Sequence, residues 1–113
     1  MKDNRLYVLH ILNAIGRIEQ FTHGISEDQF CQNILIQDAV IRNIQVIGEA
    51  SKKFDDAFCN AHPHIPWRQI GAMRNKLVHE YFGVDLPSVW SVVIIDLPVL
   101  KQNMLELKSE YPQ

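Results

Sequence analysis

Apolar residues recur along this chain in steps of three and four. Between residues 3 and about 22 they fall at Val8, Ile11, Leu12, Ile15 and Ile18, one stripe of an amphipathic helix. The stretch THGIS interrupts the stripe, with Gly24 placed to stop a helix. Ser26 followed by Gln29 has the spacing of a capping box, which predicts a new start. The helical period then continues to about residue 54. Ile34, Ile41, Ile44, Ile47 and Gly48 repeat on one side, and Asp38, Arg42, Gln45 and Glu49 share another. So long a run predicts a break near residues 31–33. Residues 55–66 carry two prolines and read as a short helical turn followed by a loop, with Pro66 at the first turn of a helix through residue 81. Gly83 ends that helix. A last helix runs from about residue 85 to 109, opened by Pro87 and kinked or broken near Asp96 by Pro98. No strand alternation or internal repeat is found. The pattern predicts an all-α bundle of four or five helices.

Composition narrows the class. A chain of 113 residues supports one domain with a modest core, so residues 1–113 form a single unit. No apolar run is long enough to cross a bilayer, and the N-terminus lacks the apolar stretch of a signal peptide. Cys31 and Cys59, without a tight motif between them, read as free thiols of a reducing cytoplasm. The formal net charge of −2 argues against a surface that clings to nucleic acid everywhere, and leaves room for a local basic site.

Candidate chemistry concentrates in RNKLVHEY, residues 74–81, where His79 follows Arg74 by five positions. On an ideal α-helix such residues point about 140° apart, so they do not share a face. The spacing alone says little. Arg5 and His10 repeat it, and Arg17 with His23 nearly does, both on the first amphipathic helix where solvated side chains explain them. The surroundings of Arg74 differ. Polar Asn75 follows it, Tyr81 follows His79 by two, and the segment precedes the turn at Gly83. A histidine at a helix C-terminus sits among unpaired carbonyls that favour its protonated form. Beside an arginine, it is suitable equipment for phosphodiester chemistry.

With these residues the chain resembles the HepT-like toxins of the HEPN superfamily, small α-helical ribonucleases marked by Arg, a polar residue, a short spacer and His. Tyr81, two residues past the histidine, matches the HepT subgroup. FTHGISEDQF, QDAVIRNIQVIGEA, HPHIPWRQIGAMRNKLVHEYFGVD and Val89–Trp90 look like the same family, so the resemblance covers about residues 5–100. It implies a HEPN-type bundle forming a homodimer, and a cytoplasmic endoribonuclease with no metal and no cofactor, its two motifs facing each other across the interface. Arg74 and His79 would then be the catalytic pair, closed by a bound phosphate or by the second chain. Asn75 and Lys76 would position the phosphate and the RNA. The resemblance also implies a partner, an MntA-like nucleotidyltransferase antitoxin that adds AMP to Tyr81, as in type VII-like toxin–antitoxin pairs.

Other residues carry open alternatives. Arg42 and Glu49 read either as an ion pair on a polar helix face or as a pair orienting Arg74 from behind. Cys59, His62 and His64 resemble part of a zinc site without a fourth ligand, and a surface loop explains them equally simply. Lys52, Lys53, Arg68 and Lys76 read as an RNA track or as solvated charges. A different class also fits: a non-catalytic HEPN module that binds a nucleotide or docks a nucleotidyltransferase. The titrating histidine favours the enzyme and the acidic net charge favours the module. A purely structural dimerisation bundle explains the apolar stripes and leaves RNKLVHEY without a reason.

Overall fold

The computed structural model describes residues 3–76 and 83–111, with Arg74 and Lys76 described by their backbone. Helix α1, Asn4–Thr22, starts where the Asp3 side chain accepts the Leu6 amide at 3.2 Å. It buries Val8, Ile11, Ala14, Ile15 and Ile18, the stripe seen in the sequence, with Leu12 half-buried at its edge. Gly24 then turns the chain at a φ of 75°, a conformation that costs glycine little. Helix α2, Glu27–Cys31, opens with the capping box: the Gln29 amide donates to Ser26 Oγ at 3.1 Å, and the Ser26 amide donates to Gln29 Oε1 at 2.8 Å.

The predicted break falls at residues 32–33. Asn33 caps helix α3, Ile34–Ser51, by accepting the Ile36 amide at 3.1 Å. Its buried face is Val40, Asn43, Ile44, Ile47, Gly48 and Ala50. One expectation needs correction: Ile34 stands 71% exposed and Leu35 80%, so the buried stripe begins later in the helix. Asp38, Arg42, Gln45 and Glu49 share the outer face as their spacing requires.

Helix α4, Asp56–Ala61, is one short segment capped by Asp55, whose side chain accepts the Phe58 amide at 2.7 Å. Helix α5, Trp67–Ala72, passes directly into a 3₁₀ turn, Met73–Lys76. Pro66 sits at the N-cap, one position before the first turn. Gly83, φ 87°, leads to helix α6, Leu86–Ser91, where Asp85 caps Ser88 and Pro87 lies in the opening turn. A π turn, Val92–Asp96, joins α6 to helix α7, Leu97–Ser109, without a break. In the π turn the Leu97 amide reaches back five residues to the Val92 carbonyl. Pro98 has no amide to donate to an α-helical partner, and the wider turn just before it absorbs that defect.

The described residues form six continuous helical runs and no strand: three long ones (4–22, 34–51, 86–109) and three short ones. Helix α1 packs along α3 and against α7, while α5 and its 3₁₀ turn pack against α3. Phe30, Ile11, Ile15, Ile18, Ile44, Ile47 and Met104 are fully buried between them. Each such side chain contributes about 1.5–3 kcal/mol of burial. No described helix is long and apolar enough to cross a membrane.

Candidate functional site

The segment that carries the motif is held from below by aromatic packing. Trp67, the first residue of α5, lies 5.0 Å from Phe54 between ring centroids and donates its indole N–H to the His62 carbonyl at 3.0 Å. Phe54 in turn stacks on Phe58 at 5.3 Å and meets Tyr7 of α1 edge-on at 6.0 Å. One turn further on, Ile70 and Met73 are buried, 3% and 4% exposed. These anchors, three residues apart, fix the rotation of the 3₁₀ turn that starts at Met73. Gly71 lies close to α3, where a Cβ would stand 3.8 Å from Ser51 Oγ. The packing of Ile70 and Met73 thus selects the inner side of this turn, and Asn75 is left on the outer, exposed side.

The motif begins inside this turn. Arg74, Asn75 and Lys76 follow one another along 3₁₀ backbone, so this part of the motif does not keep the α-helical period. His79 and Tyr81 lie outside the described residues.

Arg42 and Glu49 lie on the outer face of α3, and together they line an open cleft between α1 and α3. Its volume is about 580 Å³, and its walls include Tyr7 and His10 from α1, Gln45 and Val46 from α3, and Lys53 just past the end of α3. Arg42 and Glu49 do not pair with each other, since seven residues of helix separate them by about 10 Å along the axis. Glu49 is engaged elsewhere in the protein. In the sequence His10 reads as a repeat of the arginine–histidine spacing on α1, and nothing marks Tyr7. Neither has a local signal, since their place in the cleft comes from the packing of α1 on α3.

The histidines of the α4–α5 connection have structural work. His62 hydrogen-bonds the Phe58 carbonyl through Nδ1 and Glu110 Oε1 through Nε2, both at 2.9 Å. His64 Nε2 lies 3.6 Å from Glu106 Oε2. Burial pulls the His62 pKa down, and the bonds to Phe58 and Glu110 outweigh it, leaving the group above its ordinary value. Burial, with Asp56 and Asp55 nearby, pushes the Cys59 thiol up and away from the reactive thiolate. Cys31 and Cys59 are free thiols. Among the described residues no three His, Cys, Asp or Glu side chains are grouped to hold a metal ion.

Comparison with known proteins gives a consistent picture. The sequence model of the family described as "Ribonuclease HepT-like" matches residues 11–107. A Methanocaldococcus jannaschii protein named "Gamma-glutamylcyclotransferase and putative RNase" is 44% identical over 96% of this chain, which spans 49% of that protein's length. The "Probable ribonuclease HepT" of Thermococcus cleftensis is 42% identical over 96% of this chain and 98% of its own. A "Putative RNase" of Caldanaerobacter subterraneus subsp. tengcongensis is 35% identical over 95% and 96% respectively. No solved structure matches.

Proposed function

This chain belongs to the HepT-like ribonuclease family, and on that premise we propose that it is a metal-independent endoribonuclease toxin whose site forms across a homodimer. The observation that carries the reading is a family match over residues 11–107 that encloses the Arg74–His79 motif. The exposed position of Asn75, on a turn anchored by Ile70 and Met73, supports access of a polymer to the motif. The names of the relatives support RNA as the substrate.

The chemistry needs only groups of this chain. His79 takes the proton from a ribose 2′-hydroxyl, and the freed oxygen attacks the adjacent phosphorus. The bond from phosphorus to the 5′-oxygen breaks, and a protonated imidazole returns a proton to that leaving oxygen. The products are a 2′,3′-cyclic phosphate and a 5′-hydroxyl. Arg74 holds the scissile phosphate in its forked donors and offsets the charge that builds up in the transition state. Asn75 and Lys76 position the phosphate and its neighbours, and Glu49 orients the arginine from α3.

The off-switch in this reading is Tyr81. A nucleotidyltransferase antitoxin directs the phenolic oxygen onto the α-phosphorus of ATP, pyrophosphate leaves, and AMP remains on the tyrosine. The added bulk and negative charge exclude RNA and neutralise Arg74.

Two experiments test the proposal. Purified protein should cleave single-stranded RNA in EDTA and leave cyclic phosphate ends. Arg74→Ala and His79→Ala should each lower the rate by about 100-fold or more. Undiminished cleavage by both variants ends the catalytic assignment. Protein co-expressed with the nucleotidyltransferase should carry an AMP mass on Tyr81, and Tyr81→Phe should escape neutralisation. If Tyr81→Phe is neutralised and no AMP mass is found, the modification is wrong. An RNA-binding protein with no cleavage at all would be the docking module instead.

A further inference from the structure

The cleft between α1 and α3 has a charge pattern unlike that of the chain around it. The protein carries a net charge of −2, yet the cleft is lined by two cations, Arg42 and Lys53, with His10 between the helices and Glu49 as its single carboxylate. Neither Arg42 nor Lys53 is ion-paired with any described residue. Glu49 is engaged within the protein. Among the described residues, nothing neutralises either cation. Asp38, one turn before Arg42 on the same outer face, marks where the basic stretch ends.

The dimensions suit a strand of nucleic acid. Arg42 and Lys53 stand about 16 Å apart along the line of α3, counted at the helical rise. A stacked strand advances about 3.4 Å per nucleotide, so several phosphates fall within that reach. The volume of about 580 Å³ lies in the range of clefts that enclose a ligand, roughly 300–1,000 Å³. Tyr7 and His10, edge-on with ring centroids 6.5 Å apart, supply aromatic surface on the α1 wall. Cations along a groove with aromatic rings beside them are the equipment used to hold single strands without reading their sequence.

The cleft also lies next to the motif turn. The last turn of α3 serves both: Ser51 faces Gly71 of α5, and Glu49 and Ala50 line the cleft. The 3₁₀ turn that begins the motif packs against the same helix. We propose that the α1–α3 cleft is a binding subsite for the phosphates of single-stranded RNA flanking the scissile bond, held by Arg42 and Lys53. This rests on the ribonuclease reading for the identity of the strand. It adds a site that holds the substrate without taking part in the chemistry.

Its test is binding rather than cleavage. The probe is a fluorescent 2′-O-methyl oligoribonucleotide, which lacks the attacking hydroxyl, titrated by anisotropy over a range of salt. Arg42→Ala with Lys53→Ala should weaken binding about tenfold or more at low salt, and lower the salt slope by about 1.4, as two lost contacts to a single strand require. Arg42→Gln should reproduce its share of the loss with α3 intact by circular dichroism. Lys108→Ala, on α7 and away from the cleft, should change binding by less than twofold. Equal losses from the cleft variants and Lys108→Ala, no loss from the cleft variants, or no binding by the wild type would each overturn the inference. So would loss of the homodimer by sedimentation in the cleft variants, which would make this face an interface between copies. Cleavage without cleft dependence sinks this inference and leaves the enzyme; cleft-dependent binding without cleavage does the reverse.

Discussion

His62 joins the α4–α5 connection to the end of α7 through Glu110, and Trp67 closes the same corner on the His62 carbonyl. The folded protein binds a proton at His62 more tightly than the unfolded chain does. The resulting stability is complete below the ordinary value of 6.5 and is lost as pH rises through the higher folded value. Glu110 is half exposed, 52%, so solvent limits the contribution to about 0.5–1 kcal/mol. Urea unfolding should therefore give a wild-type stability that falls from mildly acidic pH towards pH 8, and His62→Gln should flatten that fall. An unchanged profile in the variant would separate the pH dependence from this histidine. In the core, Ile44 and Ile47 are both 0% exposed, and Ile47→Ala should cost about 2–5 kcal/mol in the same measurement. The burial of those two isoleucines is legible in the sequence, because their spacing repeats that of a helix face. The structural use of His62 is not legible, because its partner lies 48 positions away.

The helices owe their ends to residues that can be read directly. Asp3, Ser26, Asn33, Asp55 and Asp85 each accept an amide three residues on, the pattern of a capping side chain. Asn33→Ala should lower stability by about 1 kcal/mol without altering helix content, since only the cap of α3 is removed. The π turn is harder to see. The buried positions Val89, Val93 and Leu97 step by four twice in succession, which overshoots an α-helical face by about 40° each time. The wider i to i+5 turn brings them back into line. Deleting Ile94, itself 54% exposed, should restore a regular helix in which Val89 and Leu97 stand seven residues apart, within about 20° of one face. Deleting Val99, exposed on the regular helix just beyond, has no wide turn to absorb it and rotates the two flanks by about 100°, so it should destabilise far more than the Ile94 deletion. Equal midpoints for the two in a thermal melt would mean the turn has no role in register. Pro98 warned of an irregularity near Asp96, and only the backbone showed it to be a bulge in a continuous helix.

A homodimeric site has a consequence that no single chain can show. If Arg74 of one protomer works with His79 of the other, Arg74→Ala and His79→Ala proteins are each inactive, and a mixture allowed to exchange subunits contains heterodimers with one intact site. Statistical exchange should recover about a quarter of the wild-type rate. A mixture that stays inactive after proven exchange would place both residues of the pair in one chain.

The sequence by itself determined the helical class, the capping box at Ser26, the buried stripe of α1 and most of that of α3, and the motif from Arg74 to Tyr81. These are local properties, written in periods of three and four residues and in short spacings. The 3₁₀ backbone at Arg74, the clamp at His62 and the α1–α3 cleft were decided by the tertiary structure. Each depends on which surfaces meet: Met73 against the core, Glu110 against the loop, and Tyr7 and His10 across from Arg42 and Lys53. Residues more than thirty positions apart share no period, so only the packing of α1 on α3 could bring them to one wall.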